Sequence, residues 1–187
     1  MSGDISCRIS DVGHTEFAAW LDHRELPQNS AHLFARLSHF WFSIAEGDRK
    51  PQRKDFGPQD IVFALPHLFM ADVTRKGLMR YRLVGTEMAR QFHRDPTTRE
   101  VGASGEQWET RIMSRLVGGV SNSGVPAFAV SPSSGGDAGP SSFAAIAFPL
   151  YNEAGDINMV LGAAVFRSKA RLLRDRLEAV EGYRLIA

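Results

Sequence analysis

Leu65-Pro-His-Leu-Phe-Met-Ala-Asp-Val-Thr74, followed by Leu78-Met-Arg-Tyr-Arg-Leu-Val-Gly-Thr-Glu-Met-Ala89, is the stretch that decides the fold. The first run is apolar enough for a strand over about His67 to Thr74. Arg75-Lys76-Gly77 makes a tight turn, with glycine free to supply a positive φ. In the second run Met79, Tyr81 and Leu83 alternate with Arg80 and Arg82, which predicts a strand with one buried and one wet face. Thr86 then opens a helix that turns Met88 and Phe92 inward. Two strands running straight into a helix differ from a nucleotide-binding βαβ unit, which places its helix between the strands. The pattern points to a sensory α/β scaffold, a module that binds and relays.

Upstream, residues 1–13 are expected to be disordered or weakly ordered, and Thr15 caps a short helix through Leu21, ended by Pro27. Ser30 is a good N-cap for the clearest amphipathic helix of the chain. Its stripe is Leu33, Phe34, Leu37, Phe40, Trp41 and Ile44, and Gly47 stops it. A basic connector follows, with Arg49, Lys50, Arg53 and Lys54 around Pro51; Pro58 starts a short helix through Leu65.

Downstream, Asp95-Pro96-Thr97-Thr98 reads as a turn. Residues 106–117 form a helix with Trp108, Ile112, Met113, Leu116 and Val117 on one stripe, ended by Gly118-Gly119. Strands are expected at Val125 to Val130, Phe143 to Tyr151 and Ile157 to Phe166, the last two joined by a turn over Asn152 to Asp156. Ser131 to Ser142 is a Ser/Pro/Gly loop. Ala144, Ala145, Ala147, Gly162, Ala163 and Ala164 leave room for something to pack closely on the sheet. Ser168 caps a final basic helix with Leu172, Leu173, Leu177 and Val180 on one face.

The fold class that follows is α+β: a five-stranded antiparallel sheet with helices on one face, plus N-terminal and C-terminal flanking helices. The expected organisation is an extension with a short helix over 1–29, a domain over 30–167 that includes the leading amphipathic helix, and a basic helix over 168–187.

Composition narrows the function classes. The chain has 187 residues, 43% of them hydrophobic, enough for one compact domain without staples. A net charge of +1 gives no global pull towards nucleic acid or anionic membrane. Cys7, the single cysteine, cannot form an internal disulfide, which fits a reducing compartment. No apolar run approaches the roughly 20 residues needed to cross a bilayer. Asp4 and Asp11 in a polar N-terminus do not make a signal peptide. The expectation is a cytoplasmic protein with no membrane partner.

The element order, Leu65-Pro-His-Leu-Phe-Met-Ala-Asp-Val73, Tyr81-Arg-Leu-Val-Gly-Thr86 and Phe92-His-Arg-Asp-Pro-Thr-Thr-Arg99 together resemble a bacterial subfamily of PAS domains formerly catalogued as a domain of unknown function. The resemblance covers about residues 30–167. Where that subfamily commonly carries Gly-Arg-Asp-Leu-Thr-Gly-Arg, this chain has His93, Pro96 and Thr98 instead. The resemblance implies a PAS fold, regulatory signalling without catalysis, a small ligand between sheet and helices, and dimerisation through flanking helices.

Few residues carry independent chemistry. His32 and His39 stand at i and i+7 of one helix, about 10 Å apart, too far to share a metal whose ligand nitrogens lie within about 2.1 Å. His67 and His93 stand alone; lone histidines are ordinarily surface or hydrogen-bonded groups, and axial haem ligation by His93 is the one residual role weighed. The flavin photosensor branch of PAS domains needs an Asn-Cys-Arg motif, which is absent, so flavin-adduct chemistry is rejected. No cofactor is required by the sequence. No Gly-x-Ser-x-Gly, Walker, His-Glu-x-x-His or paired-cysteine motif occurs, and Glu106 with Glu109 is weak ground for acid–base work. Asp72 is expected to take a buried, hydrogen-bonded role or an outward-facing one rather than a catalytic one. Phe69, Tyr81, Phe92, Trp108, Phe128 and Phe148, with Ile112, are the candidate cavity lining; the same residues suit a filled core. The final helix mixes Arg167, Lys169, Arg171, Arg174 and Arg176 with Asp175, Glu178 and Glu181, which argues against nucleic acid. Its leucine seam is too short for a coiled coil alone.

The expectation is a stand-alone, non-enzymatic PAS regulator that forms a homodimer and relays a signal to a partner such as a histidine kinase, gated by a small-molecule ligand. The rival readings are a haem- or small-molecule-cofactor sensor, an enzyme using the cavity as its active site, against which the lack of any nucleophile–base pair argues, and a structural dimerisation module.

Overall fold

The computed structural model describes residues 8–11, 30–74, 78–90, 97, 100–101, 108–131 and 142–167. Seven strands form one sheet: β1 (Arg8–Asp11), β2 (Leu68–Val73), β3 (Met79–Val84), β4 (Glu100–Val101), β5 (Ala127–Ser131), β6 (Ser142–Tyr151) and β7 (Ile157–Arg167). Their order is β1-β5-β6-β7-β2-β3-β4, and every pairing is antiparallel. Among the described residues three helices accompany them: α1 (Ser30–Ile44), α2 (Thr86–Ala89) and α3 (Trp108–Ser123). Short 3-10 segments at Arg53–Asp55 and Pro58–His67 link α1 to β2.

The five expected strands are all present, as β2, β3, β5, β6 and β7. Two short strands extend the sheet at its edges. Residues 1–13 were expected to lack regular structure, yet Arg8–Asp11 pairs with β5 from Arg8↔Val130 to Asp11↔Ala127. Four residues satisfying an open edge need no strong pattern of their own. At the other edge Glu100 and Val101 pair with Arg80 and Met79.

The sheet is covered on both faces, which is why β2, β6 and β7 read as near-continuous apolar runs. One face, called inner here, carries Phe69, Ala71, Met79, Tyr81, Ala145, Ala147 and Val160 against Met88 of α2 and Ile112, Met113, Leu116, Val117 and Val120 of α3. The outer face carries Leu68, Met70, Ile146, Phe148, Leu150 and Leu161 against Leu33, Phe34, Leu37 and Trp41 of α1, with Phe56, Ile61 and Ala64 beside them. The inserted helices thus share one face and the leading helix closes the other. Trp41 fixes that closure: its ring stacks on Phe148 at 5.5 Å and its Nε1 donates to the Pro149 carbonyl at 3.0 Å.

Two helix ends differ from expectation. α3 does not stop at Gly118-Gly119 but runs to Ser123, where Gly124 adopts φ +72. Burial of Val120 against the sheet holds the extra turns despite the glycines. The helix opened by Thr86 ends at Ala89, so Phe92 lies beyond it and outside the described residues. The short helix expected at 15–21, the basic helix from Ser168, the turns at 75–77 and 95–98 (save Thr97) and the loop over 132–141 also lie outside them.

Candidate functional site

The inner face is built from a floor of small residues and a lid of large ones. Ala127, Ala129, Ala145, Ala147 and Ala164 form the floor, and the α3 stripe packs down on it. Of the small residues foreseen to allow close packing, Ala145, Ala147 and Ala164 lie in the α3 cluster, whereas Ala144 and Ala163 belong to the outer face. At the β2 end of the floor the ring of Phe69 lies over Gly162, where a Cβ would stand 2.4 Å from Phe69 Cζ and 2.3 Å from the Ile146 carbonyl oxygen. Phe69 meets Tyr81 edge to face, centroids 6.4 Å apart. The Tyr81 side chain is fully buried, and that burial pushes its phenol well above the usual tyrosine range. Ser114, on α3, is also buried, and its Oγ has no hydrogen-bond partner among the described residues. That serine had no sequence signal, because a helical serine ordinarily back-bonds its own chain.

Of the seven cavity residues named from sequence, the five whose side chains are described divide between the two faces. Phe69, Tyr81 and Ile112 share the inner face. Phe148 and Phe128 pack on the opposite, outer side. Register dictates the split: Phe69 stands opposite Gly162, whereas Phe148 stands opposite Leu161 and Phe128 opposite Ile146. Trp108 starts α3 but its side chain is not among those described, and Phe92 lies outside the described residues.

The remaining candidates are placed as follows. His32 and His39 are both exposed on α1; His93 and Cys7 fall outside the described residues. Among the described residues no group of three His, Cys, Asp or Glu side chains could hold a metal. Asp72 accepts from Arg80 Nη2 at 3.3 Å and Arg82 Nε at 2.5 Å, the hydrogen-bonded role expected of it. The basic connector is folded onto the β6–β7 hairpin. Arg49 pairs with Asp55 and Lys54 with Glu153, both at 2.8 Å, while Lys50 donates to the Gly155 carbonyl at 3.1 Å. The Gln52 amide and Arg49 hold the Asp55 carboxyl below its usual range. These cations are engaged within the chain rather than spread as a nucleic-acid tract.

Tyr151 joins the two faces. Its hydroxyl donates to the Gly124 carbonyl at the end of α3, at 3.2 Å. Its backbone amide donates at 2.8 Å to the carbonyl of Pro51, in the connector after α1.

Among the described residues no helix is long and apolar enough to cross a membrane. No curated protein matches the chain. The PAS domain family matches residues 30–165, well over half of the 187 residues. PAS domains are typically sensory and signalling modules rather than enzymes. An antiparallel sheet with inserted helices on one face, matched across that whole span, makes this chain a member of the PAS domain family.

Proposed function

We propose that this protein is a PAS regulator that passes a signal to a two-component partner such as a histidine kinase by protein–protein contact, gated by a small ligand held between α3 and the inner face. The supporting observation is the double cover of one sheet. The central strands β2, β6 and β7 give alternate side chains to the cluster that holds α3 and to the cluster that holds α1, so a shift of α3 must be accommodated by the strands on which α1 rests. Phe69, Tyr81 and Ile112 are the residues assigned to the ligand, and the unpartnered Ser114 hydroxyl suits a ligand with one polar group. The outer-face residues Phe128 and Phe148 leave the assignment. No catalytic step is part of this reading, and pairing of two copies through the flanking helices remains part of it.

Native mass spectrometry with an absorbance spectrum on freshly purified protein tests the gate. A co-purifying mass is expected, and its loss in an Ile112→Trp variant would locate it on the inner face. A clean apo mass that no small-molecule library shifts removes the gate. The relay is tested by autophosphorylation of a panel of histidine kinases with and without the protein, where unchanged rates throughout would sink it.

A further inference from the structure

Resting on the protein–protein relay just described, and deepening it, we propose that the arginines of β3 form a docking point for a carboxylate-rich peptide segment of the partner. Arg80 and Arg82 both donate to one oxygen of Asp72, so two cations share a single anion. Arg82 is held through Nε alone, and its side chain remains 57% exposed. Among the described residues Nη1 and Nη2 of Arg82 have no partner in the bonds that fix its guanidinium. The planar fork is thereby anchored at one edge and offered at the other, the arrangement in which a guanidinium takes a carboxylate with two parallel hydrogen bonds. Anchoring by Asp72 removes part of the ordering cost that a free arginine would bear on binding. Glu100 stands opposite Arg80 in the β3–β4 register and offsets its charge, so the proposal rests on the free edge of the Arg82 guanidinium.

The occupant follows from charge and surroundings. A second copy seated by a two-fold axis would bring arginine towards arginine, which disfavours self-pairing here. A nucleic acid needs a run of unengaged cations, whereas those of the connector after α1 are already bound to Asp55, Glu153 and backbone carbonyls. Half-buried Leu83 and Met159, cross-strand neighbours of Met70 and of Asp72, border the arginines and suit a peptide with apolar residues between its acids.

The test is fluorescence anisotropy of a labelled hexaglutamate peptide with the full chain at low salt. Saturable binding is expected, weakened about fivefold or more by Arg82→Gln. Arg82→Lys should not restore it, because an ammonium keeps the charge but not the fork. The Arg49→Gln/Lys54→Gln variant, which loses two cations elsewhere on the surface where Arg82→Gln loses one, should bind within about twofold of the parent. Three results overturn the proposal: no binding by the parent, equal weakening in the Arg49/Lys54 control, or full binding by Arg82→Lys. So does tighter, competing binding of a single-stranded oligonucleotide, or conversion of a dimer to a monomer by Arg82→Gln. The readout is independent of the kinase panel: a protein that binds the peptide but alters no kinase keeps the docking point and loses the relay, and the reverse result loses only the docking point.

Discussion

Gly162 shows how much one missing side chain fixes. Its place under the Phe69 ring cannot be shared with a methyl group, because the Ile146 carbonyl oxygen 2.3 Å from the built Cβ belongs to the β6–β7 ladder. Gly162→Ala should therefore cost about 1–3 kcal/mol, the usual toll of overpacking. Adding Phe69→Leu should recover only part of it, since the carbonyl stays. Thermal unfolding of the single and double variants measures both effects, and full recovery would mean that the ring alone sets the constraint. Tyr81 gives a pH signature. Its phenol is raised by burial above the ordinary 10.0, so above pH 10 the unfolded chain sheds a proton that the folded chain keeps. Stability should be intact below that pH and fall above it, by up to about 1.4 kcal/mol per pH unit. Denaturant melts between pH 9 and 11 should show this slope in the parent and a shallower one in Tyr81→Phe. The sequence identified both Phe69 and Tyr81 as core aromatics. It marked Gly162 as leaving room for close packing without naming the Phe69 ring as what packs there, because that contact lies across a strand pairing rather than along the chain.

At the scale of the element, α3 separates what glycine signals from what glycine does. Gly118-Gly119 looked like a stop, and local propensity supports that reading. The helix continues because Val120 is buried against the alanine floor, which outweighs the roughly 1 kcal/mol per glycine. The true terminator, Gly124, has φ +72, with a built Cβ 3.4 Å from the Tyr151 hydroxyl. A Cβ at Gly118 meets nothing within 4 Å. Gly118→Ala should accordingly raise stability by about 0.5–1 kcal/mol, while Gly124→Ala should lower it. Opposite shifts in the midpoint of urea unfolding would bear this out; a loss at Gly118 would mean that α3 needs a weak point there. The strands were more legible than the helix ends. Alternation in Met79-Arg-Tyr-Arg identified β3, since Met79 and Tyr81 are buried while Arg82 is exposed. Leu83, expected on the same face as Met79 and Tyr81, lies in the outer cluster instead, because the register shifts between Met70 and Ala71. β1 and β4 escaped notice because strands of four and two residues carry too few side chains to show a period.

For the whole molecule, the candidate site was half legible for a related reason. Composition marks Phe69, Phe128 and Phe148 as core, but each lies in a continuously apolar strand, and a shift of one residue in register exchanges the faces. Only the pairing of β2 and β6 with β7 decides that Phe69 meets α3 and Phe148 meets α1. A sheet with two lids also raises the question of how they communicate, and Tyr151 offers a direct answer. Its hydroxyl holds the end of α3 at Gly124, and its amide holds the connector behind α1 at Pro51. Lys50 Nζ lies 5.2 Å from its ring centroid and bonds the Gly155 carbonyl, tying the same connector to the hairpin tip. Tyr151→Phe deletes the hydroxyl and leaves the ring and the backbone bond. If Tyr151 couples the two lids, amide exchange should quicken at Gly124 and also across Gln52 to Asp55, with a stability loss of no more than about 1.5 kcal/mol. Faster exchange confined to the end of α3 would reduce Tyr151 to a local brace, and any coupling would then have to run through the strands themselves.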